Sequence, residues 1–188
     1  MKMQLAGLAL LLPGLALAET APYIGVQGQY SRVDINRSDF DGLAVSRIDK
    51  SDYGYAVRVG MQDDLSSFTG NSGRNTVGLE LGYIDFGEVS ATTGGTDVTA
   101  ELDGIELAVI GSTQVYNHTH VYLRVGGLSW NTDTSGAGAS DSNDGQDVLG
   151  GAGLMYFINH VQIRGGYDYY KVDDHQVDAY SLGAQFRF

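Results

Sequence analysis

The stretch YSLGAQFRF, residues 180–188, ends the chain on an aromatic side chain. Tyr180, Leu182, Ala184, Phe186 and Phe188 alternate with Ser181, Gly183, Gln185 and Arg187. Strict alternation over this length is the period of a β-strand with one apolar and one polar face. Chain ends are ordinarily mobile unless something ties them down. A terminal strand this regular therefore implies a neighbour on each side.

Working backwards, the same alternation returns about every twenty residues. YIGVQGQYSRVD (23–34) puts Ile24, Val26, Gly28 and Tyr30 on one face. DYGYAVRVGMQ (52–62), TVGLELGYIDFG (76–87) and DGIELAVIGST (103–113) repeat it, as do HVYLRVGGLSW (120–130), DVLGGAGLMYF (147–157) and VQIRGGYDYYK (161–171). With the terminal strand these make eight segments of about ten residues, the length at which a tilted strand crosses a hydrocarbon core. Gly is frequent, at 27 residues, and no amphipathic helical period persists.

The connections alternate as well. Those after strands one, three, five and seven, 35–51, 88–101, 131–146 and 171–177, are polar and mostly acidic. NTDTSGAGASDSNDGQ (131–146) is low-complexity, which predicts a mobile loop. The connections QVYNHT (114–119) and INH (158–160) are short. Long loops on one rim and short turns on the other is the asymmetry of an outer-membrane barrel. The connection at 63–75 breaks that rule by its length.

Residues 1–18 stand apart. A basic start, an apolar run and Ala16-Leu17-Ala18 form the pattern of a secretory signal peptide, with cleavage expected before Glu19. The remaining 170 residues, 19–188, are read as one barrel domain. Without Lys2 they hold ten Lys and Arg against 23 Asp and Glu, a net charge of −13. Such a surface repels nucleic acid, so no such partner is expected. There is no cysteine, hence no disulfide framework and no thiolate metal site.

A soluble β-sandwich would also alternate. Two features favour a membrane barrel instead. The apolar face carries rings suited to bilayer interfaces: Tyr30, Tyr53, Tyr55, Tyr83, Tyr156, Tyr167, Tyr169 and Tyr180, with Phe186 and Phe188. The opposite face is rich in small residues, yet it carries Arg58, Glu80, Glu106, Arg124, Arg164 and Asp168. Inside an eight-stranded barrel these three cations and three anions would point into an interior just wide enough for side chains. Unpaired buried charge is costly, so they must pair there. The fold class expected is all-β, an eight-stranded antiparallel up-and-down transmembrane β-barrel.

GLELGYIDFG (78–87), YLRVGGLSWNTD (122–133), IRGGYDYY (163–170) and the terminal aromatic together resemble the OmpA-type transmembrane barrel. The resemblance implies a charge-paired interior, external loops and, in some members, weak ion conduction through rearranged interior ion pairs. It assigns inward charge to Glu80, Arg124 and Arg164. Ile110 and Met155 depart, sitting where relatives can carry an interior Lys and Glu, so the network must be wired differently, through Arg58 and Glu106. The resemblance also implies that Phe188 is the signal read by the barrel-assembly machinery. The family's larger members add a peptidoglycan-binding domain, which is not expected here.

The function expected is an outer-membrane structural and surface barrel with a charge-plugged lumen, a narrow low-conductance pore at most. Its partners would be outer-membrane lipid, lipopolysaccharide and the assembly machinery, and it would act as a monomer. One alternative is a surface adhesion barrel working through its acidic external loops. Another is a lipid A-modifying enzyme, which needs a nucleophile and a base in reach. Of His118, His120, His160 and His175, only His175 with Ser181 leaves such a pairing open at the external side. Asp141, Asp144 and Asp147 match no calcium-loop spacing. No catalytic, cofactor or metal residue is assigned, and no enzyme activity is expected.

Overall fold

The computed structural model describes residues 21–34, 45–65, 75–93, 96–136, 139–173 and 175–188. The proposed signal segment 1–18 and the connection 66–74 lie outside the described residues.

Nine strands follow one another: β1 (Ala21–Val33), β2 (Val45–Asp49), β3 (Ser51–Asp64), β4 (Asn75–Thr93), β5 (Thr96–Tyr116), β6 (Thr119–Gly136), β7 (Ala139–Ile158), β8 (Val161–Val172) and β9 (His175–Arg187). β2 and β3, separated by Lys50, both pair with β4 and act as one barrel strand. Every sequential pair is antiparallel, and β1 closes on β9 through Tyr30↔Tyr180 and Ile24↔Phe186. The result is a closed eight-stranded barrel. Closure leaves no edge in the span, which a lipid environment requires of any sheet. The last residue is tied in too, since Phe188 N donates to Pro22 O at 3.0 Å.

The turns on the rim that carries both chain ends (the terminal rim) are short for a local reason. Asn117 and Asn159 adopt positive φ, 35° and 53°, in the β5–β6 and β7–β8 turns. Asn tolerates that region, which tight hairpin turns require. At 63–75 the ends are drawn together, with Leu65 N on Asn75 O at 2.9 Å.

The far rim differs from the sequence reading. Residues 88–93 and 96–101, and again 131–136 and 139–146, are paired strand rather than loop or mobile segment. Val45–Asp49, inside the expected 35–51 loop, is β2. The expected loop at 171–177 is largely strand, with β8 running to Val172, Asp173 at φ 56° and β9 beginning at His175. The strands therefore run from 12 to 21 residues outside β2 rather than about ten. Polar residues paired above the membrane level extend a strand without adding an apolar face, so alternation cannot report them.

One bulge interrupts β4. Between Asp85 and Glu88 the register shifts, and Gly87 takes φ 84°. Asp85 Oδ1 accepts from Gly87 N and Asp52 Oδ2 from Glu88 N, each at 2.8 Å. Two carboxylates thus hold a bend that only glycine adopts without strain.

Ile24, Val26, Val57, Leu81, Leu107, Val125, Leu154 and Leu182 face outward. Rings band this surface twice. Near the far rim Tyr30 packs on Tyr53 at 5.4 Å, Tyr167 on Tyr180 at 5.4 Å and Tyr55 on Tyr83 at 6.2 Å. Near the terminal rim Phe186 meets Phe188 at 5.3 Å and His118 meets Tyr156 at 6.2 Å. Tyr180 and Phe186 are six residues apart on β9, about 20 Å along the strand.

Candidate functional site

The interior takes its shape from glycine placed opposite large side chains. Arg58 registers with Gly25 on one side and Gly82 on the other, and Glu80 with Gly60. Arg124 and Asp168 both register with Gly151. A Cβ at Gly82 would lie 2.8 Å from Glu106 Oε1 and 3.0 Å from Arg58 Cγ. The small residues of the inner face are thus the room into which the charged chains lie across the lumen.

Six charged side chains meet there. Arg58, Glu80, Glu106, Arg124, Arg164 and Asp168 are all buried, and among the described residues they are the only buried Arg, Asp or Glu. Arg58 Nε donates to Glu106 Oε1, and Arg124 Nη2 donates to Glu106 Oε2 at 2.5 Å. Arg164 Nη1 donates to Glu80 Oε1. Arg124 Nε links the two groups, 3.9 Å from Glu80 Oε2 and 3.6 Å from Asp168 Oδ1. Asp168 also lies 4.0 Å from Arg58 Nη2. Three positive and three negative groups form one neutral layer.

Two tyrosines that the sequence reading left out complete the layer. Tyr23 OH donates to Glu80 Oε1 at 2.6 Å. Tyr170 OH donates to Glu106 Oε2 at 3.2 Å and accepts from Arg58 Nη2 at 3.3 Å. The signal for Tyr23 was present, since it alternates with Ile24 and so lies on the inner face of β1.

Ile110 and Met155 pack with Tyr122 in a small apolar cluster on the terminal side. Tyr122 presents its ring to Arg164, whose Cζ lies 4.2 Å from the centroid. A cation–π contact therefore stands beside the ion pair. On the far side lies a larger apolar cluster that includes Ile84, Phe86, Leu128, Trp130, Leu149 and Tyr170. Of these residues, Ile84, Phe86, Leu128, Trp130 and Tyr170 share a strand with a charge of the layer, and each is nearer the far rim than that charge. Trp130 Nε1 donates to Asp147 Oδ2 at 3.1 Å, which also accepts from Asp173 N at 2.8 Å. Asp147 thus closes a turn, Asp144 is exposed, and the side chain of Asp141 lies outside the described residues.

His175 and Ser181 sit six residues apart on one strand, about 20 Å, and do not form a pair. A serine–histidine contact occurs at the other end, where Ser112 Oγ lies 3.3 Å from His120 Nδ1 and 2.8 Å from Thr76 Oγ1. Phe188 is exposed on the lipid-facing surface, its ring against Phe186.

The family model described as OmpA-like transmembrane domain matches residues 29–187. No curated protein sequence matches the chain. Among solved structures the chain is similar to Ail, the attachment invasion locus protein of Yersinia pestis. That match has 20% identity and a TM-score of 0.62, covering 90% of this chain and 99% of that one. Neisserial surface protein A matches with 13% identity and a TM-score of 0.58 over 90% and 99% of the two chains. The N-terminal β-barrel domain of Pseudomonas aeruginosa OprF matches with 14% identity and a TM-score of 0.51 over 90% and 100%. At these identities the likeness is one of fold.

Proposed function

The chain belongs to the OmpA-like transmembrane domain family, and from that premise we propose that it is an outer-membrane structural and surface barrel with a closed lumen. The observation that carries this reading is the neutral six-residue charge layer spanning the interior, with Glu80 held by Arg164 and Glu106 by Arg58 and Arg124. An eight-stranded barrel leaves no water column unless such side chains move. Conduction is then confined to small, infrequent events. Lipid and lipopolysaccharide contact the ring-banded outer face, and the assembly machinery acts during biogenesis, with the barrel as a monomer. Planar-bilayer recording of the refolded barrel tests the reading. A mostly silent trace is expected, and a steady open-pore current would overturn it.

A second reading is favoured by the paired extensions of β4–β5 and β6–β7 beyond the far rim. They are stiff, hydrogen-bonded platforms that carry Glu88, Glu101, Asp133 and Asp144. A surface of that charge fits a basic partner. Binding of a polycationic peptide that disappears in high salt, and is weakened by Glu101→Gln, would support adhesion; salt-independent binding would not.

A further inference from the structure

The two sides of the charge layer differ in how their polar groups are served. Towards the terminal rim, Gln62, Gln162 and Gln185 point inward and are no more than 2% exposed. Gln62 Oε1 and both amide atoms of Gln162 and Gln185 have no hydrogen-bond partner in the protein. Gln162 and Gln185 stand directly opposite each other on β8 and β9. A cavity of about 520 Å3 lies at that rim, lined among others by Gln62, His120, Phe157 and Arg187. Buried amides are hydrogen-bonded in folded proteins, by solvent where protein does not serve. Towards the far rim the fill is mainly the apolar cluster, in which Leu128 and Leu149 are also no more than 2% exposed, although β1 buries Gln27, Gln29 and Ser31 on that side.

We infer that the lumen is a blind polar chamber, entered by water and small neutral polar solutes from the terminal rim, and that the barrier to passage is the apolar layer rather than the ion pairs. Charged and hydrogen-bonding side chains can exchange partners with entering water. A close-packed layer of Ile84, Phe86, Leu128 and Leu149 cannot, and it closes by excluding water, as hydrophobic constrictions do. This rests on the closed-lumen reading and specifies where the closure lies.

The absence of native cysteine permits a direct test in lipid nanodiscs, where both rims meet solvent. Single variants Gln62→Cys, Gln162→Cys, Gln185→Cys, Leu128→Cys and Leu149→Cys are treated with a small hydrophilic thiol reagent, after confirming that each barrel is folded. The glutamine positions should react readily. The two leucine positions should react roughly ten-fold slower or worse, since the reagent reaches them only through local opening. In planar bilayers the double variant Leu128→Asn/Leu149→Asn should gain a current over the unsubstituted barrel. Glutamine positions no faster than leucine positions would mean a dry chamber and overturn the inference. So would a folded double variant that remains as silent as the parent. Either outcome leaves the closed-lumen reading standing, whereas a steady current in the unsubstituted barrel overturns that reading itself.

Discussion

Glu80 on β4 and Arg164 on β8 are 84 residues apart in the chain, and their side chains meet in the middle of the barrel. Tyr23 and Tyr122 hold the pair from either side, one by a hydrogen bond to the carboxylate and one by its ring under the guanidinium. Burying two charges costs desolvation that the pair only partly offsets, so its value lies in geometry more than in net stability. Removing one member is a different matter.

Glu80→Ala leaves Arg164 buried without its carboxylate and should destabilise the barrel by about 3–5 kcal/mol in denaturant unfolding. Replacing both members with apolar residues, Glu80→Leu with Arg164→Met, should recover most of that loss. Asp144→Ala, on the exposed extension of β7, should stay within about 0.5 kcal/mol. A loss from Glu80→Ala no larger than that from Asp144→Ala would show that the interior pair is not desolvated.

The inner and outer glycines should respond with opposite sign. A methyl at Gly82 meets Glu106 and Arg58, so Gly82→Ala should cost about 1–3 kcal/mol through overpacking. At Gly28, on the outer face, a Cβ finds nothing within 4 Å. Gly28→Ala should stabilise by about 0.4–1 kcal/mol by restricting the unfolded chain. Equal effects at the two positions would contradict the inside–outside assignment of β1 or β4.

The outer face can be probed with charge. Val109 lies on it between the two ring bands, and Val109→Arg should cost about 2–4 kcal/mol in a bilayer. The same residue placed at Gln146, exposed on the far extension of β7, should be nearly silent. A tolerated Val109→Arg would argue that this surface does not meet lipid.

The asymmetry of the rims predicts an orientation with the longer extensions external and the Asn-His turns periplasmic. On intact cells an impermeant thiol label should reach Glu101→Cys and Asp144→Cys. It should reach His118→Cys and Asn159→Cys only after the outer membrane is permeabilised. The reverse pattern would invert the topology.

Phe188 makes one ring contact at the terminal band and is largely exposed to the lipid side. As a packing residue it should matter modestly to the stability of refolded protein. Phe188→Ala should therefore lower the amount of folded barrel in cells far more than it shifts unfolding in detergent. Equal losses in both measurements would leave Phe188 without a role as an assembly signal.

Alternation is a local property, set by successive side chains pointing to opposite faces, and it was legible throughout the chain. It determined that Ile24, Val57, Leu107 and Leu182 face one way and Arg58, Glu106 and Ser181 the other. Together with the short Asn-His connections it determined eight crossings, and the terminal alternation required closure on β1. Partner choice was not local. Which carboxylate meets which guanidinium depends on how far each strand slides past the next when the sheet closes, so Arg58 meeting Glu106 and Arg124 reaching towards all three carboxylates emerged only in three dimensions. The far-rim extensions of β4 to β7 were hidden because their residues alternate without an apolar face. The apolar layer was hidden for the opposite reason. Ile84 and Phe86 follow Leu81 and Tyr83 in one nearly continuous apolar run, and only the closed barrel separates those that meet lipid from those that seal the lumen.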